Sequence, residues 1–468
     1  MPQNFVECDR EQAFLMPPDP RDWLPEGHLA WFVLASVEQM DLTAFYGSYR
    51  QDGWGRAAFE PSVMVALLLY AYASGERSSR GIERRCVEDV AYRVIAAHQA
   101  PDHATIARFR VRHEHALADL FTEVLLLCGE AGLVKVGLIA IDGTKLHANA
   151  SHHANLDYGQ LAREILKEAG EVDAAEDELF GDARGDELPS EFRSTGELRT
   201  RLREAKQRLD AKRAAEQKPV PRSRSERLKE SKKRLDQELE LERRVRADYR
   251  AWRARGISAD GRRFGGREPK LEPLPEQPRG KINTTDPDSR NVKTPRSYTQ
   301  GYNAQAAVNE HQIVLAAEVT VSSPDFGQLQ PMVEATKREL QSVGVTETPA
   351  VVVADTGYWH EEQIGNVVSN GTQVLIPPDA GKRDTPRPGW QGGRYTRMRE
   401  VLATELGGGL YRRRKAIIEP VFAQTKHNRR IDRFQRRGRS AARSEWRLIT
   451  ATHNLMKLHK HQIAAAGA

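Results

Sequence analysis

The sequence predicts an α/β protein, in which a mixed sheet is flanked by helices, preceded by an all-helical region and interrupted by a charged insertion. Apolar runs of strand length lead into aspartates, as in "GLIAID" and "VVVAD". Helical periodicity dominates the first 135 residues, and a long stretch of Glu, Lys, Arg and Ala follows the first strand. At 468 residues, the chain is long enough for two or three domains.

Residues 1–135 are predicted to form a helical domain that binds DNA. The run "SVMVALLLYAYASGE" follows Pro61, which favours a helix start, and "HALADLFTEVLLLCGEAGL" ends at glycines. Between them, Asp102 can cap a helix that carries Arg108 and Arg110. This pattern is typical of a helix-turn-helix with arginines near the DNA. A helical bundle with a solvated basic face is the alternative.

Residues 136–156 contain the first strand of the sheet, in "VGLIAIDGTKLHANAS". Residues 157–280 are predicted to be an insertion of long exposed helices, a hairpin broken at "KPVPRSRS". The early, acidic part of the insertion has the composition of a partly disordered segment. A solvated appendage and an arm that contacts DNA or a partner both remain open for this insertion.

Residues 281–468 are predicted to complete the sheet. "GYNAQAAVNE" and "QIVLAAEVTV" form a strand pair, "SPDFGQLQPMVEATKREL" a helix, and "PAVVVADTGYW" a buried strand that ends in Asp355. A helix, the strand "TQVLIPP", a Gly-rich link "ELGGGL" and a basic helical C-terminus follow. Taken with the interrupted first strand, this order fits a ribonuclease-H-like core.

Two aspartates are the first candidates for a catalytic site. Asp142 and Asp355 each end an apolar strand, and the carboxyl ends of strands are where active sites of α/β sheets collect. Two carboxylates brought together repel unless a proton or a cation lies between them, and Mg²⁺ accepts such ligands. Glu419 is the candidate third ligand, because it is almost the only acid in its segment. A salt bridge to a neighbouring base is the alternative for Glu419.

The segment "YRRRKAIIEPVFAQTKHNRRIDRFQRRGRSAAR", residues 411–443, is strongly basic. With a pI of about 9.1 for the whole chain, it indicates a polyanionic partner. The residues predicted to contact DNA phosphates here and after the first strand are Lys145, Lys415, Lys426, Arg429 and Arg430.

Other polar residues permit simpler interpretations. Asp325, before "FGQLQ", is expected to cap a helix, with an auxiliary acidic role as the alternative. Tyr358 and Trp359 either stack on an extruded base or pack under the sheet edge. Three dispersed cysteines and the absence of a secretion signal favour a soluble, cytoplasmic protein associated with the nucleoid, with no membrane partner.

Several blocks of the chain, in order, resemble transposases of the DDE class encoded by bacterial insertion sequences. "FEPSVMVALLLYAYASGERSSRGIERRC" and "PDHATIARFR" resemble the domain of that family that binds terminal repeats. "AIDGTKLHANAS", "VVVADTGYW" and "RRRKAIIEPVFAQTKHNRRIDRFQRRG" resemble the blocks that carry the two aspartates and the glutamate. The family signature around the glutamate is Tyr, two residues, Arg, three residues, Glu, six residues, Lys. Glu419 and Lys426 keep the last spacing, whereas Lys415 holds the place of the Arg and Tyr411 is displaced.

The resemblance implies a transposase that binds inverted repeats, cleaves DNA by Mg²⁺-dependent hydrolysis, with Mn²⁺ as a substitute, and joins 3′-hydroxyl ends to target DNA. Its partner is double-stranded DNA, both element ends and target site, and two ends imply a homodimer assembled on DNA. Two rivals remain: a nuclease or resolvase with the same core but without strand transfer, and a catalytically inactive DNA-binding regulator.

Overall fold

The structure, a computed structural model, describes residues 19, 22–49, 57–180, 223–256, 275, 277–294, 297–379 and 392–466. The chain divides into two compact units. The first contains residues 1–149 and 291–468, and the second contains residues 150–290.

Helices precede the sheet in the first unit. Their described members are α1 Leu29–Glu38, α2 Thr43–Tyr46, α3 Pro61–Ala73, α4 Ser79–Glu88, α5 Val90–Ile95, α6 His103–Arg112 and α7 Glu114–Glu130. Helix α3 starts at Pro61, as predicted, and it is buried along most of its length because it is apolar on nearly all sides. Asp102 caps α6 by accepting from the backbone N–H of Thr105, which confirms the predicted cap.

The described strands are β1 Leu138–His147, β2 Asn155–Asp157, β3 Lys281–Asn283, β4 Arg290–Lys293, β5 Tyr298–Asn309, β6 Val314–Thr320, β7 Val351–Val353 and β8 Gln373–Leu375. The main sheet has the order β4-β5-β1-β7-β8, and β6 also pairs with β5. β5 and β6 form the predicted antiparallel pair. β1 lies at the centre, antiparallel to β5 and parallel to β7, so the sheet is mixed, as predicted.

The first unit also contains the later helices α10 Leu329–Ser342, α11 Glu361–Ser369, α12 Gly393–Ala403, α13 Glu405–Ala423 and α14 Arg439–Ala466, with a π-helical turn at Gln424–Asn428. The predicted Gly-rich link is wrong, because "ELGGGL" forms the first turns of α13. The hydroxyl of Thr404 caps this helix by accepting from the N–H of Gly407. A side chain at Gly407 would overlap with the carbonyl oxygen of Val401, so glycine lets α13 start directly against the end of α12.

Helix α14 packs against α3, α7 and β6, and its Trp446 is fully buried. The indole N–H of Trp446 donates to the backbone oxygen of Gln305 on β5, at 2.9 Å. The N-terminal helices and the sheet therefore share a core. No helix in the described part of the chain combines the length and the apolar character that crossing a bilayer requires.

The second unit contains α8 Tyr158–Phe180, α9 Arg224–Ala254 and the antiparallel pair of β2 and β3. A small apolar core is formed by Leu161, Leu228, Leu235 and Ile282. Ion pairs between residues four apart, such as Lys232 with Asp236, line the exposed surface of α9. The first part of the acidic segment, residues 168–180, is helical in α8, and its remainder lies outside the described residues. The break predicted at residues 218–225 is described only from residue 223, and α9 begins at Arg224.

Candidate active site

Asp142 and Asp355 come together through the register of two neighbouring strands. The parallel pairing of β1 with β7 ends at Ala140 and Val353. Each aspartate follows two residues after this last pair, so the two backbones leave the parallel ladder side by side. The prediction that Asp142 ends its strand is wrong. β1 continues to His147, because β5 still pairs with it after β7 has ended.

Backbone N–H groups hold both carboxylates in place. Asp142 Oδ1 accepts from the N–H of Gly143 at 2.8 Å, and Oδ2 accepts from Arg414 Nη1 of α13 at 2.8 Å. Asp355 Oδ1 accepts from the N–H of Gly357 at 2.8 Å and caps the 3₁₀ turn Thr356–Tyr358. The arrangement delivers two fixed carboxylates and one guanidinium at the same end of the sheet.

The electrostatic environment of this pair disfavours two free negative charges. Burial, followed by the charge of Asp355, raises the pKa of Asp142 to about 6, although the charge of Arg414 opposes both. Burial likewise raises the pKa of Asp355, while the hydrogen bond from Gly357 and the charges of Arg414 and Lys145 lower it. A bound cation would therefore be favoured between these carboxylates.

Asp325 is the third carboxylate near the pair, and its charge raises the pKa of both Asp142 and Asp355. Its Oδ1 accepts from Asn303 Nδ2 and Gln305 Nε2, each at 2.8 Å.

The prediction that Asp325 caps a helix is wrong. The N-cap of α10 is Gln328, which makes no capping hydrogen bond through its side chain. Asp325 instead forms an ion pair with Lys145, whose Nζ lies 3.2 Å from Oδ1.

Glu419 lies on the exposed surface of α13. It follows Arg414 by five residues, which is about 140° around an α-helix, so it points away from the side that Arg414 presents to Asp142. Pro420 lies inside α13 and neither starts nor ends it.

Three residues of this site were not predicted from the sequence. Two residues separate Arg414 from Tyr411, so the Tyr, two residues, Arg spacing was the available signal. Asn303 and Gln305 are polar residues two apart in the middle of β5, which places both on one face.

The aromatic residues after Asp355 are packed inside the protein. Tyr358 is fully buried, and its hydroxyl donates to Gln305 Oε1. Trp359 is 4% exposed and stacks on the ring of Tyr395 with centroids 5.0 Å apart. The structure therefore favours packing over base stacking for both residues.

Two of the arginines predicted to contact DNA are buried, and these predictions are wrong. Arg110 donates to the backbone oxygen of Arg77 at 2.8 Å and lies over the ring of Tyr72. Arg429 donates to the backbone oxygen of Ile449 at 3.1 Å, among other acceptors. Both guanidiniums satisfy internal carbonyl groups and cannot reach a nucleic acid from these positions.

The other predicted DNA contacts are accessible to different extents. Arg108, Lys415 and Arg430 are exposed. Lys145 is partly buried in its ion pair with Asp325. Lys426 donates from the π-helical turn to the backbone oxygen of Lys145 at 2.9 Å, and burial lowers its pKa.

The donor set matches a hard divalent cation in part. Mg²⁺ accepts one or two protein carboxylates and keeps water and phosphate oxygens as its other ligands, which Asp142 and Asp355 can satisfy. Among the described residues, no group of three or more His, Cys, Asp or Glu is arranged to hold a metal ion. The carboxylates thus fit as a pair and not as a closed cage.

Comparisons with known proteins identify two segments. Residues 18–112 match a family model described as "Transposase domain (DUF772)", and residues 252–455 match one described as "Transposase DDE domain". Asp355 and Glu419 lie in the second match, whereas Asp142 lies between the two. No curated protein and no solved structure matches the chain significantly. The two models match in order and together span more than half of the chain, which therefore belongs to the DDE transposases of insertion sequences.

Proposed function

We propose that this transposase binds the terminal inverted repeats of its element, cleaves the DNA at their ends and joins the freed 3′-hydroxyl groups to target DNA. The observation that carries the proposal is the register of β1 and β7, which brings Asp142 and Asp355 together in a chain matched by a DDE transposase model. The central position of β1, antiparallel on one side and parallel on the other, supports a ribonuclease-H-like assignment of the sheet.

Asp142 and Asp355 are the proposed ligands of Mg²⁺, with Mn²⁺ as a substitute. When bound, such ions activate water or a 3′-hydroxyl and stabilise the leaving oxygen at phosphorus. Arg414 neutralises Asp142 in the absence of a cation. Glu419 is the proposed third ligand, and for it to join the aspartates α13 has to turn about its axis, which breaks the ion pair of Arg414 with Asp142.

The exposed bases are the proposed contacts to the DNA backbone. Arg108 belongs to the N-terminal helices and contacts the terminal repeats, whereas the exposed Lys415 follows Arg414 on α13 and the exposed Arg430 follows the π-helical turn. Lys145, which pairs with Asp325, and Lys426, which donates to the backbone oxygen of Lys145, neutralise the phosphates nearest the cleavage point. Because both ends of the element are processed, we propose a homodimer assembled on DNA.

The test is cleavage and strand transfer on DNA that carries the element ends, with Asp142→Asn and Asp355→Asn as isosteric variants. Each variant should lose cleavage by at least a hundredfold while binding the same DNA within about twofold, because the carboxylates serve chemistry and the exposed bases serve binding. Arg108→Gln is the matched control, which should weaken binding and leave the cleavage of saturated DNA unchanged.

The same assay separates the rival functions. Nicked DNA without joined product would identify a nuclease or resolvase. Sequence-specific binding without any cleavage by the wild type in Mg²⁺ or Mn²⁺ would identify a DNA-binding regulator. Full activity of Asp142→Asn would contradict the site itself.

A further inference from the structure

Asp325 is held in place by side chains of β5 that lie directly opposite β1. In the antiparallel register, Asn303 pairs with Lys145 and Gln305 pairs with Gly143. Asn303 and Gln305 are at most 1% exposed, and both donate to Asp325 Oδ1. Two buried amides therefore fix one oxygen of a carboxylate that arrives from the loop before α10.

Gly143 provides the space for this carboxylate. A Cβ atom at position 143 would lie 2.5 Å from Asp325 Oδ1 and would also overlap with Gln305 Nε2. Any other residue at this position would push Asp325 away from β1. The glycine that follows Asp142 in the sequence is thus explained by the approach of Asp325.

The amide of Asn303 is oriented towards Asp325, and this orientation leaves its own oxygen unsatisfied. Its Nδ2 donates both to Asp325 Oδ1 and to the backbone oxygen of Ser322, which are acceptors only. Its own Oδ1 is buried and has no hydrogen-bond partner in the described structure. An unsatisfied buried polar atom destabilises the folded state, and such a cost is retained where the group has a function beyond stability.

The fixed oxygen of Asp325 in turn fixes the ammonium of Lys145, 3.2 Å away. Successive residues of β1 point to opposite faces, so Lys145 and Asp142 lie on different faces of the strand. Because β7 ends at Val353, Asp355 lies beyond its last pair and within electrostatic range of both Lys145 and Arg414. The ammonium is therefore held at the open end of the sheet, within electrostatic range of Asp355.

We propose that Asp325 is a positioning residue: supported by Asn303 and Gln305, it holds the ammonium of Lys145 beside Asp355, where Lys145 receives the backbone phosphate next to the scissile bond. The inference rests on the proposed function of the acidic pair. It assigns Asp325 no contact with DNA, so its effect on the reaction runs through Lys145.

A double-mutant cycle tests this dependence. Asp325→Asn keeps the shape of the side chain and its acceptor oxygen, and Lys145→Met removes the ammonium. Each should slow single-turnover cleavage of end DNA by tenfold or more, and the double variant should be no slower than the slower single variant, because both changes remove the same interaction. DNA affinity in Ca²⁺ should change less than threefold for Asp325→Asn.

Glu318→Gln is the matched control. Glu318 lies on β6 opposite Gln305 and forms an ion pair with Arg443, so it is a carboxylate near the same part of β5 with a different cation. Its loss should leave the cleavage rate within twofold. Equal denaturation midpoints of Asp325→Asn and Glu318→Gln would exclude a general loss of folding as the cause.

A second measurement does not depend on activity. In the wild type without DNA, Lys145 should react with an amine-acylating reagent several times more slowly than the exposed Lys415, as followed by mass spectrometry of peptides. Asp325→Asn should abolish this protection, and Glu318→Gln should preserve it.

Three outcomes would overturn the inference. Multiplicative effects in the double variant would show independent roles for Asp325 and Lys145, unchanged acylation of Lys145 in Asp325→Asn would show that Asp325 does not hold it, and wild-type cleavage by Asp325→Asn would show no role. Failure of the proposed function is distinguishable, because then Asp142→Asn would also leave cleavage unaffected.

Discussion

Asp142 illustrates how burial and a neighbouring acid change the chemistry of a single carboxyl group. Its side chain is 19% exposed, so solvent does little to stabilise its negative charge, and Asp355 lies close by. One guanidinium, that of Arg414, compensates part of this charge. A bound cation is therefore more strongly favoured here than at an ordinary surface aspartate.

The raised pKa of Asp142 predicts how stability depends on pH. The pKa is about 6 in the folded protein against 3.8 for the free side chain, so the folded state binds this proton more tightly. The resulting stabilisation is fully present below pH about 4 and is lost as the pH rises through about 6. Asp142→Asn should therefore be more stable than the wild type at pH 7.5, by up to about 3 kcal/mol, and equal at pH 3.5.

Denaturant unfolding across this pH range provides the measurement. Asp41→Asn is a control of opposite sign, because hydrogen bonds from Thr43 lower the pKa of Asp41. At neutral pH the wild type should have a larger free energy of unfolding than Asp41→Asn, and this difference should disappear in acid. A stability advantage of Asp142→Asn that grows as the pH falls would contradict the raised pKa of Asp142.

At the scale of elements, β1 continues to pair with β5 beyond the end of β7, and Asp142 lies in this extension. This pairing runs from Ile139 with Asn309 to His147 with Gly301. A Cβ atom at position 301 would overlap with the carbonyl oxygen of Leu146, which is backbone and cannot move aside. The glycine thus permits the closest approach of the two strands at the far end of β1.

Gly301→Ala is expected to destabilise the protein by about 1–3 kcal/mol, because the strands must separate where Lys145 and His147 are held. Thermal or urea unfolding measures this loss. Gly137→Ala is the control, since the nearest atom to a Cβ there, Glu310 Oε2, lies 3.7 Å away at ordinary contact distance. Equal midpoints for the two variants would show that the approach of β5 to β1 is looser than described.

Helix α13 shows how one residue of spacing decides which side chain faces the sheet. Arg414 and Ile418 are four apart and share the buried side, whereas Glu419 is one position further and lies on the exposed side. The π-helical turn that follows moves Lys426 onto the backbone of Lys145. Such turns, with more residues per turn than the α-helix, are frequent at functional sites.

At the scale of the first unit, buried ionic contacts link the N-terminal helices to the C-terminal part. Arg77 Nη1 lies 3.0 Å from Glu445 Oε1, and both side chains are almost completely buried. Glu445 also accepts from the backbone N–H groups of Gln435 and Arg436. The carboxylate thus joins the region before α4 with the loop before α14.

Arg77→Met should destabilise the first unit by about 3–5 kcal/mol, because it leaves the carboxylate of Glu445 buried without its cation. Chemical denaturation should remain a single transition when followed both by tryptophan fluorescence and by circular dichroism, because α14 packs against both the N-terminal helices and the sheet. The exposed pair of Arg84 and Glu88 is the control, and Arg84→Met should leave the midpoint unchanged. Separate transitions for the helices and the sheet would contradict a common core.

Much of the architecture follows from the sequence alone. Burial of one face of a helix or strand leaves a local pattern of apolar residues. This pattern was sufficient to predict the helical N-terminus, the central strand, the hairpin of β5 and β6, and the position of the two aspartates. The quoted motifs were sufficient to identify the transposase family. These properties depend on residues close together in the chain.

The tertiary structure alone decided which polar side chains meet. Arg110 and Arg429 look like Arg108 and Arg430 in the sequence, yet the first two are buried against carbonyl groups and the other two are exposed. Asp325 reaches the acidic pair because β5 presents two amides opposite β1. Such contacts join residues far apart in the chain, so the register of strands and the rotation of helices determine them, and local patterns do not encode either.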